Sequence, residues 1–524
     1  MIVVGAGLAG MRAALAAEEA GARVTLVDRG PVGLGTNSAL SNGAFAGPAT
    51  PERGDEYISL VLDIGKGLNR VSYVQRVARE APIAIEFLQS LGLDIVTPPG
   101  HWCVRSPRPT VIPGVTLVRR VAERVGRCDR IQLRRGLRIT AVVTSLGRAV
   151  GVRGFDLRGE SQEIRAAAVI LACGGAGAIY AKHDNQATIL GQGYHLAAQT
   201  GLPLWDMEFV QFYPIVLDEP GWPQMMIYPP YPAEARLIGP SGEDLLARHD
   251  LGNLNQAIVR KRDAFSALLV REAEAGPVCM DLRAVPDDRW RVHPLSLLAR
   301  FKARCRQRPV RITPAVHFCM GGVRTNGEGQ TDLPGLFACG EIVWGLHGAN
   351  RMGGNALTEC LVSGQIAGQR AAEFAQTHGE MAVAPEGAGN DTQASLDRGA
   401  TGERLDLRTL RMRIKDAAWR SAGVLRSEND MARGLLEAER LYDAVAITRA
   451  TTVAERILRE DLLSAAFVLR AILTASRERL ESRGCFVRTD FPIQDDTYWL
   501  KNSRLLWDSV RGRFSVEYLP TELR

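Results

Sequence analysis

The stretch "GLHGANRMGGNALTE" (345–359) plants His347 and a permanent cation, Arg351, in a segment otherwise emptied of bulky side chains. Glycine there allows a surface turn with a solvated arginine. It equally allows a backbone pressed against a ligand, with the guanidinium aimed at a carboxylate. A second glycine pattern suggests the ligand. Gly5, Gly7 and Gly10 form G-x-G-x-x-G in "IVVGAGLAGMRAALAAEEAGARVTLVD", and Asp28 ends the apolar run that follows. Strand, glycine turn, helix, strand and terminal acid are the context a dinucleotide fingerprint requires. The first glycine permits the tight turn, the second lets a pyrophosphate approach, and the third lets the helix pack on the strand. The phosphates then meet the helix N-terminus, whose free N–H groups and partial positive charge favour anions. Asp28 is expected to accept from the adenosine ribose hydroxyls and to disfavour a 2′-phosphate. Nicotinamide and flavin dinucleotides share this pattern. The late block "LPGLFACGE" (333–341), a strand ending in Gly-Glu, favours FAD.

The elements that position these groups belong to a chain of 524 residues, room for roughly three domains at ~150 residues each. Its 46% hydrophobic and 23% charged residues supply an ordinary globular core. The net charge of +6 comes mostly from arginines scattered among acids, with no basic run, so nucleic acid is an unsuitable partner. A docking face for an acidic partner or an anionic substrate stays open. Nine dispersed cysteines form no C-x-x-C pair, so no zinc, haem or iron–sulfur ligand set is expected and no metal site is assigned. They read as buried thiols of a reducing compartment. The chain starts directly in an apolar strand, with no leader and no run of about 18 apolar residues. The expectation is a cytoplasmic protein without direct membrane insertion, able to sit at a membrane through partner subunits.

Strand–turn–helix alternation over the first 208 residues predicts an α/β class, with "RAAAVILACGGAGAIY" (165–180) as a second buried strand entering a glycine turn. From about 209 to 316 the style breaks: proline-rich "YPPYP" and short mixed elements look inserted. The glycine-rich style returns at "HFCMGGVRTN". Residues 379–402 are small and polar, a linker signature, and helical patterns follow at 405–420, 429–446 and 451–482.

The blocks "VVGAGLAG", "ACGGAG", "GQGYHLAAQTGLPLWDMEFVQFYP", "RKRDAFSALL", "HFCMGGVRTN", "GLFACGE", "GLHGANRMGGNAL" and "ESRGCFVRTDFP" follow one another along nearly the whole chain. In type and order this sequence resembles the flavoprotein subunits of fumarate reductase and succinate dehydrogenase, together with L-aspartate oxidase. The resemblance implies a discontinuous Rossmann-like FAD domain (1–208 plus 317–378), an inserted α+β capping domain (209–316), the linker, a helical domain (403–484) and a C-terminal segment (485–524). It implies FAD held by Gly5, Gly7, Gly10, Asp28, Ser41, Asn42, Gly43, Gly174, Asp206, Glu341, Asn355 and Leu357. It also implies hydride exchange between flavin N5 and the carbon β to a carboxylate, with a proton moving at the neighbouring carbon. Arg351 would grip that carboxylate, His317 would be its second ligand, and Arg262 would be the proton donor. With no metal ligands of its own, the chain would draw electrons from an iron–sulfur subunit. An amino-acid oxidase is the alternative, and an electron-carrying subunit with an altered substrate site is a third.

Three departures from the family pattern stand out. The respiratory enzymes carry a flavin-linking histidine where this chain has Thr36 or Asn37, so the FAD is expected to be non-covalent. The family's "Q-[YF]-H-P" is "QFYP" here, and Tyr213 replaces a histidine that binds the substrate's other carboxylate. A tyrosine can donate one hydrogen bond or stack, but brings no positive charge at neutral pH. Finally, the Thr-Glu and Arg that feed protons to the arginine acid should fall near Ile227, Tyr228, Pro229, Pro230 and Tyr231, with Glu234 and Arg236 as potential substitutes. That relay matters because lowering an arginine pKa to neutrality takes ~5 units, roughly 7 kcal/mol. Two readings follow: a small carboxylate substrate other than fumarate or succinate, which is favoured, or a site tuned for slow or altered dicarboxylate chemistry.

Overall fold

Short strands, the inner ones apolar and buried, build the centre of the molecule, described by a computed structural model for residues 1–48, 50–98, 101–379 and 405–522. Strands β1 (Ile2–Val4), β2 (Val24–Asp28), β3 (Ile131–Arg135), β4 (Val169–Leu171) and β7 (Leu336–Ala338) form one parallel sheet in the order β7-β4-β1-β2-β3. Runs such as Ile-Val-Val and Val-Ile-Leu suit strands covered on both faces. Helix α1 (Leu8–Glu19) follows β1, and α3 (Asn355–His378) lies against it. Gly368 makes that contact possible, because a Cβ there would stand 2.2 Å from the Ala13 carbonyl oxygen.

Strands β5 (Val210–Leu217) and β6 (Val310–Cys319) pair antiparallel and frame the inserted segment. They extend through Cys279–Asp281 and Arg236–Ile238 into a four-stranded sheet, and α2 (Leu254–Glu272) packs on β5. An Asn253–Gln256 capping box starts α2. Two register shifts interrupt the β5–β6 ladder. Gln211 opposes Phe318 and Phe212 opposes Val316, leaving His317 unpaired between them. The second shift falls between Tyr213 and Val216, where Pro214 sits. Such bulges bend a strand and re-aim a side chain.

Helices α4 (Leu407–Ser421), α5 (Glu428–Ile447) and α6 (Val453–Glu478) pack together, followed by a hairpin of β8 (Lys501–Asp508) and β9 (Arg513–Pro520). β8 pairs with Leu204–Trp205, so the tail joins a sheet of the main body. The linker expected over 379–402 lies, but for its first residue, outside the described residues. None of the described helices is long and apolar enough to cross a membrane. The fold is thus α/β, a Rossmann-like sheet with an inserted α+β cap and a helical C-terminal part.

Candidate active site

At the end of β1 the glycines act as their spacing predicts. Gly5 has φ +107°, and a Cβ there would stand 2.3 Å from the Ala172 carbonyl oxygen; one on Gly10 would stand 1.9 Å from the Gly5 oxygen. Gly7 caps α1 without a side-chain cap of its own; Ser38 Oγ accepts from the Leu8 amide at 3.3 Å, and the next N–H groups of the first turn are left to a ligand. Asp28 accepts from the Ala6 and Gly30 amides, each at 2.7 Å, which fixes the carboxylate beside the turn. Burial pushes its pKa up against those two hydrogen bonds.

A cavity of about 1210 Å³ opens between the sheet and the cap, larger than the ~300–1,000 Å³ of ordinary small-ligand pockets. Ser38, beside Gly7, lines one part of it; Ser41, Asn42, Glu341 and Leu357 line it further along. The N-terminus of α3, Gly353 to Leu357, faces the same space and favours an electron-rich occupant. Asn355 is fully buried; its Oδ1 accepts from the Tyr57 hydroxyl at 2.7 Å while its Nδ2 has no partner in the protein. A buried orphan donor, an uncapped helix N-terminus and the glycine cradle together fit FAD. Glu341 accepts from the Cys319 amide at 3.1 Å, and burial raises its pKa to about 7. Gly174 lies beside the Glu341 carboxylate, and Gly43 turns the wall against Pro113.

Asp206 departs from the expected ligand set. Its carboxylate accepts from the Trp344 indole (2.6 Å), the Asn502 amide (2.6 Å) and the Ser503 backbone (2.8 Å). It is buried behind the cavity wall, tying the C-terminal hairpin to the body. Burial, then neighbouring Glu208, raises its pKa to about 7. His347 is likewise turned inward: its Nε2 bonds Glu359 at 2.9 Å with both residues buried.

Four elements converge on the far part of the cavity: β5 brings Gln211 and Tyr213, β6 brings His317, α2 brings Arg262, and the glycine-rich loop brings Arg351. Arg351 is buried, its Nε donating to Gln211 Oε1 at 3.1 Å and its Nη1 to the Met352 carbonyl at 3.2 Å. Gln211 Nε2 donates back to the Arg351 carbonyl at 3.0 Å, so one side chain clamps both ends of the residue. Among the described residues no carboxylate lies within ion-pair distance of this guanidinium. Burial, then the like charge of Arg262, lowers its pKa to about 9, so it is still charged at neutral pH. Arg262 donates from Nη2 to Asn350 Oδ1 (2.6 Å) and to the Arg351 carbonyl (2.8 Å). Asn350 Nδ2 in turn donates to Asp263 Oδ2 at 2.5 Å, and Asp263 stands 3.8 Å from Arg262 Nε.

His317 Nδ1 bonds Asp184 Oδ2 at 2.8 Å, and Asn185 Nδ2 donates to the other oxygen of the same carboxylate at 3.1 Å. Sequence reading did not single out Asp184, Asn185, Gln211, Asn350 or Asp263. Gln211 and Asn350 stand inside motifs it quoted, which was the available signal; Asp184 carries none. Neither Glu234 nor Arg236 lines the cavity. Tyr228 and Pro229 do so instead, and the Tyr228 hydroxyl donates to the Leu40 carbonyl across the cap–body boundary. Tyr213 meets Tyr231, hydroxyl to hydroxyl, at 2.7 Å. Thr36 Oγ1 donates to the Gly33 carbonyl, and Asn37, which lines the cavity, donates from Nδ2 to Asn185 Oδ1 at 2.7 Å; neither side chain is an imidazole.

A parallel sheet with this cradle, facing an inserted cap across a cavity where Arg262, His317 and Arg351 gather, fits an FAD-dependent oxidoreductase. Residues 1–229 and 233–357 match the FAD binding domain model, and 411–524 match that of the fumarate reductase flavoprotein C-terminus. L-aspartate oxidase of Caulobacter vibrioides is 31% identical, covering 94% of each chain. The fumarate reductase flavoprotein subunit of Mycobacterium tuberculosis is 29% identical over 100% of this chain and 97% of its own. Among solved structures, a quinol–fumarate reductase flavoprotein with menaquinol matches at TM-score 0.89 and 23% identity, covering 100% of this chain and 98% of that one. The chain belongs to the fumarate reductase, succinate dehydrogenase and L-aspartate oxidase flavoprotein family, and FAD is its cofactor.

Proposed function

We propose that this enzyme reduces the carbon–carbon double bond of an α,β-unsaturated carboxylate, taking electrons from a separate iron–sulfur protein. One observation carries the reading: Arg351 is a buried, charged guanidinium in the cavity wall with no anionic partner at ion-pair distance among the described residues. A buried charge of this kind calls for an anion, and a carboxylate matches its planar fork. Gly5, Gly7, Gly10 and Asp28 would hold the dinucleotide end of FAD; Ser41, Asn42, Glu341, Asn355 and Leu357 would surround its ring. Bound there, FAD supplies the hydride donor. Arg351 and His317 hold the carboxylate and stabilise the enolate-like charge that develops on it as hydride reaches the β carbon. Asp184 orients His317 through Nδ1, leaving Nε2 for the substrate.

Arg262 delivers the proton to the α carbon. Its Nη2 is committed to Asn350 and the Arg351 carbonyl, so Nη1 is the arm assigned to the substrate. Asp263 takes over resupply where the family's glutamate is absent. Burial raises its pKa, and it shares Asn350 with the arginine. The electron partner rests on likeness to flavoprotein subunits such as the mycobacterial fumarate reductase subunit.

The test is anaerobic reoxidation of photoreduced holoenzyme by a panel of enoates. Rapid reoxidation by at least one monocarboxylic enoate, lost in Arg351→Gln, supports the reading; fumarate alone at a useful rate overturns the substrate assignment. The L-aspartate oxidase relatives favour a second reading, detected as hydrogen peroxide and iminosuccinate from aspartate. Tyr213 weighs against it, because a dicarboxylate loses its second cation. The cofactor is expected to leave with the supernatant when the protein is precipitated by acid, as non-covalent FAD does.

A further inference from the structure

Three tyrosine hydroxyls beside the cluster of Arg351, Arg262 and His317 have a fixed polarity. The Tyr231 hydroxyl lies 2.6 Å from the Ile227 carbonyl oxygen, which has no proton, so Tyr231 is the donor there. That uses the one phenolic proton of Tyr231. The 2.7 Å contact between the Tyr213 and Tyr231 hydroxyls must then be donated by Tyr213. Tyr228 spends its own proton on the Leu40 carbonyl. Every phenol of this corner has thus given its proton to the protein. Burial pushes all three phenols above their usual range, so none turns into an anion near neutrality. Tyr213 lines the cavity, and its phenolic oxygen has only lone pairs left to offer.

Arg262 adds positive charge and Asp184 negative charge near Tyr213, and Gln224 Oε1 accepts from the His183 amide at 3.4 Å, which leaves its Nε2 as a donor on this wall. Met225, Met226 and Ile258 complete the wall with apolar surface. A second carboxylate set against Tyr213 would meet only lone pairs there, and the apolar wall would strip its hydration. A flat apolar group ending in O–H or N–H would bury its body against methionine and isoleucine and place its proton on Tyr213.

We propose that the Tyr213 oxygen is a hydrogen-bond acceptor that selects monocarboxylic substrates whose far end is an apolar ring or chain bearing a hydroxyl or N–H donor. This builds on the carboxylate-reductase reading, with binding and turnover tested separately. Dissociation constants for oxidised holoenzyme are measured from flavin absorbance changes with 3-phenylpropenoate, 3-(4-hydroxyphenyl)propenoate, 3-(imidazol-4-yl)propenoate and fumarate. The better of the two donor-bearing acids should bind about 3- to 10-fold more tightly than the phenyl acid, with fumarate weakest. In Tyr213→Phe the ratio between that acid and the phenyl acid should fall to about one. Tyr231→Phe removes the acceptor for the Tyr213 proton, and the preference should swing to 3-(4-methoxyphenyl)propenoate over its hydroxyl analogue. A donor-to-phenyl ratio of one in the unaltered enzyme, a ratio unmoved by both substitutions, or tightest binding of fumarate overturns the proposal; so does failure of every acid to bind. Tight, Tyr213-dependent binding without flavin reoxidation leaves the acceptor assignment standing and overturns the reductase reading instead.

Discussion

The cavity is walled by two clusters built on opposite principles. In one, Arg351, Arg262 and His317 are each held by a directed hydrogen bond, to Gln211, Asn350 and Asp184 respectively. In the other, Tyr213, Tyr228 and Tyr231 spend their hydroxyl protons on the protein. The two meet where the Tyr213 and His317 rings lie 5.9 Å apart. On the proposed reading the first cluster polarises the carboxylate and the second meets the part of the substrate that differs from one reaction to the next, so the second can change while the first keeps its geometry.

The most forceful way to break this comparison is to remove the cation. Arg351→Gln should lower kcat/KM for any accepted acid by at least ~10³-fold, the scale of losing a donor aimed at developing charge. The same change should leave the melting temperature of the cofactor-free protein equal or higher. Burial holds the Arg351 pKa down, so its stabilising contribution is lost as pH falls through about 9, and the charged form is a cost at neutrality. A large fall in stability would mean that the guanidinium is structural. Placing a charge in the second cluster tests the other half: Tyr213→His should tighten fumarate binding about tenfold at pH 6 relative to pH 8, as the imidazole gains its proton. Flavin titrations at the two pH values report it.

Asp184→Asn sharpens the boundary between the clusters. Without the carboxylate that holds its Nδ1, the His317 ring loses its fixed orientation, and KM for the acid should rise about tenfold with a smaller change in kcat. An equal fall in kcat and kcat/KM would move Asp184 into the chemistry itself. The smallest effect concerns Glu341, whose pKa is raised to about 7 by burial. A raised acid contributes stability that is complete below its unfolded value and lost as pH rises through the folded one. Glu341→Gln should therefore flatten the pH dependence of urea unfolding of the cofactor-free protein between pH 5 and 8, by up to about 3 kcal/mol. A profile unchanged by the substitution would remove Glu341 from the list of strained groups.

Much of this was legible without coordinates where function depends on backbone shape. Gly5 and Gly10 are forced by contacts of 2.3 and 1.9 Å that any side chain would violate, and that demand is written directly as G-x-G-x-x-G. The short apolar runs of β1, β2 and β4 likewise announce a buried parallel sheet. Arg351 was recognisable for a related reason: a large cation among glycines is an unusual local choice. Asp206 was misplaced because a carboxylate near a glycine-rich block looks the same whether it faces a ligand or the Trp344 indole and the Asn502 amide. Asp184 was missed because its partner, His317, is 133 residues away along the chain.

Residue identity alone marked the cofactor cradle, the cation Arg351 among glycines, and Tyr213 where the family pattern has a histidine, because each is a matter of local backbone or chemical type. Only the folded molecule decided which way the Tyr213 proton points, since that depends on Tyr231 and a carbonyl oxygen behind it. Only the fold aimed His317, left unpaired by a bulge between strands β5 and β6, into the cavity. Hydrogen-bond direction and strand register are relations among distant residues, and no single stretch of chain contains them.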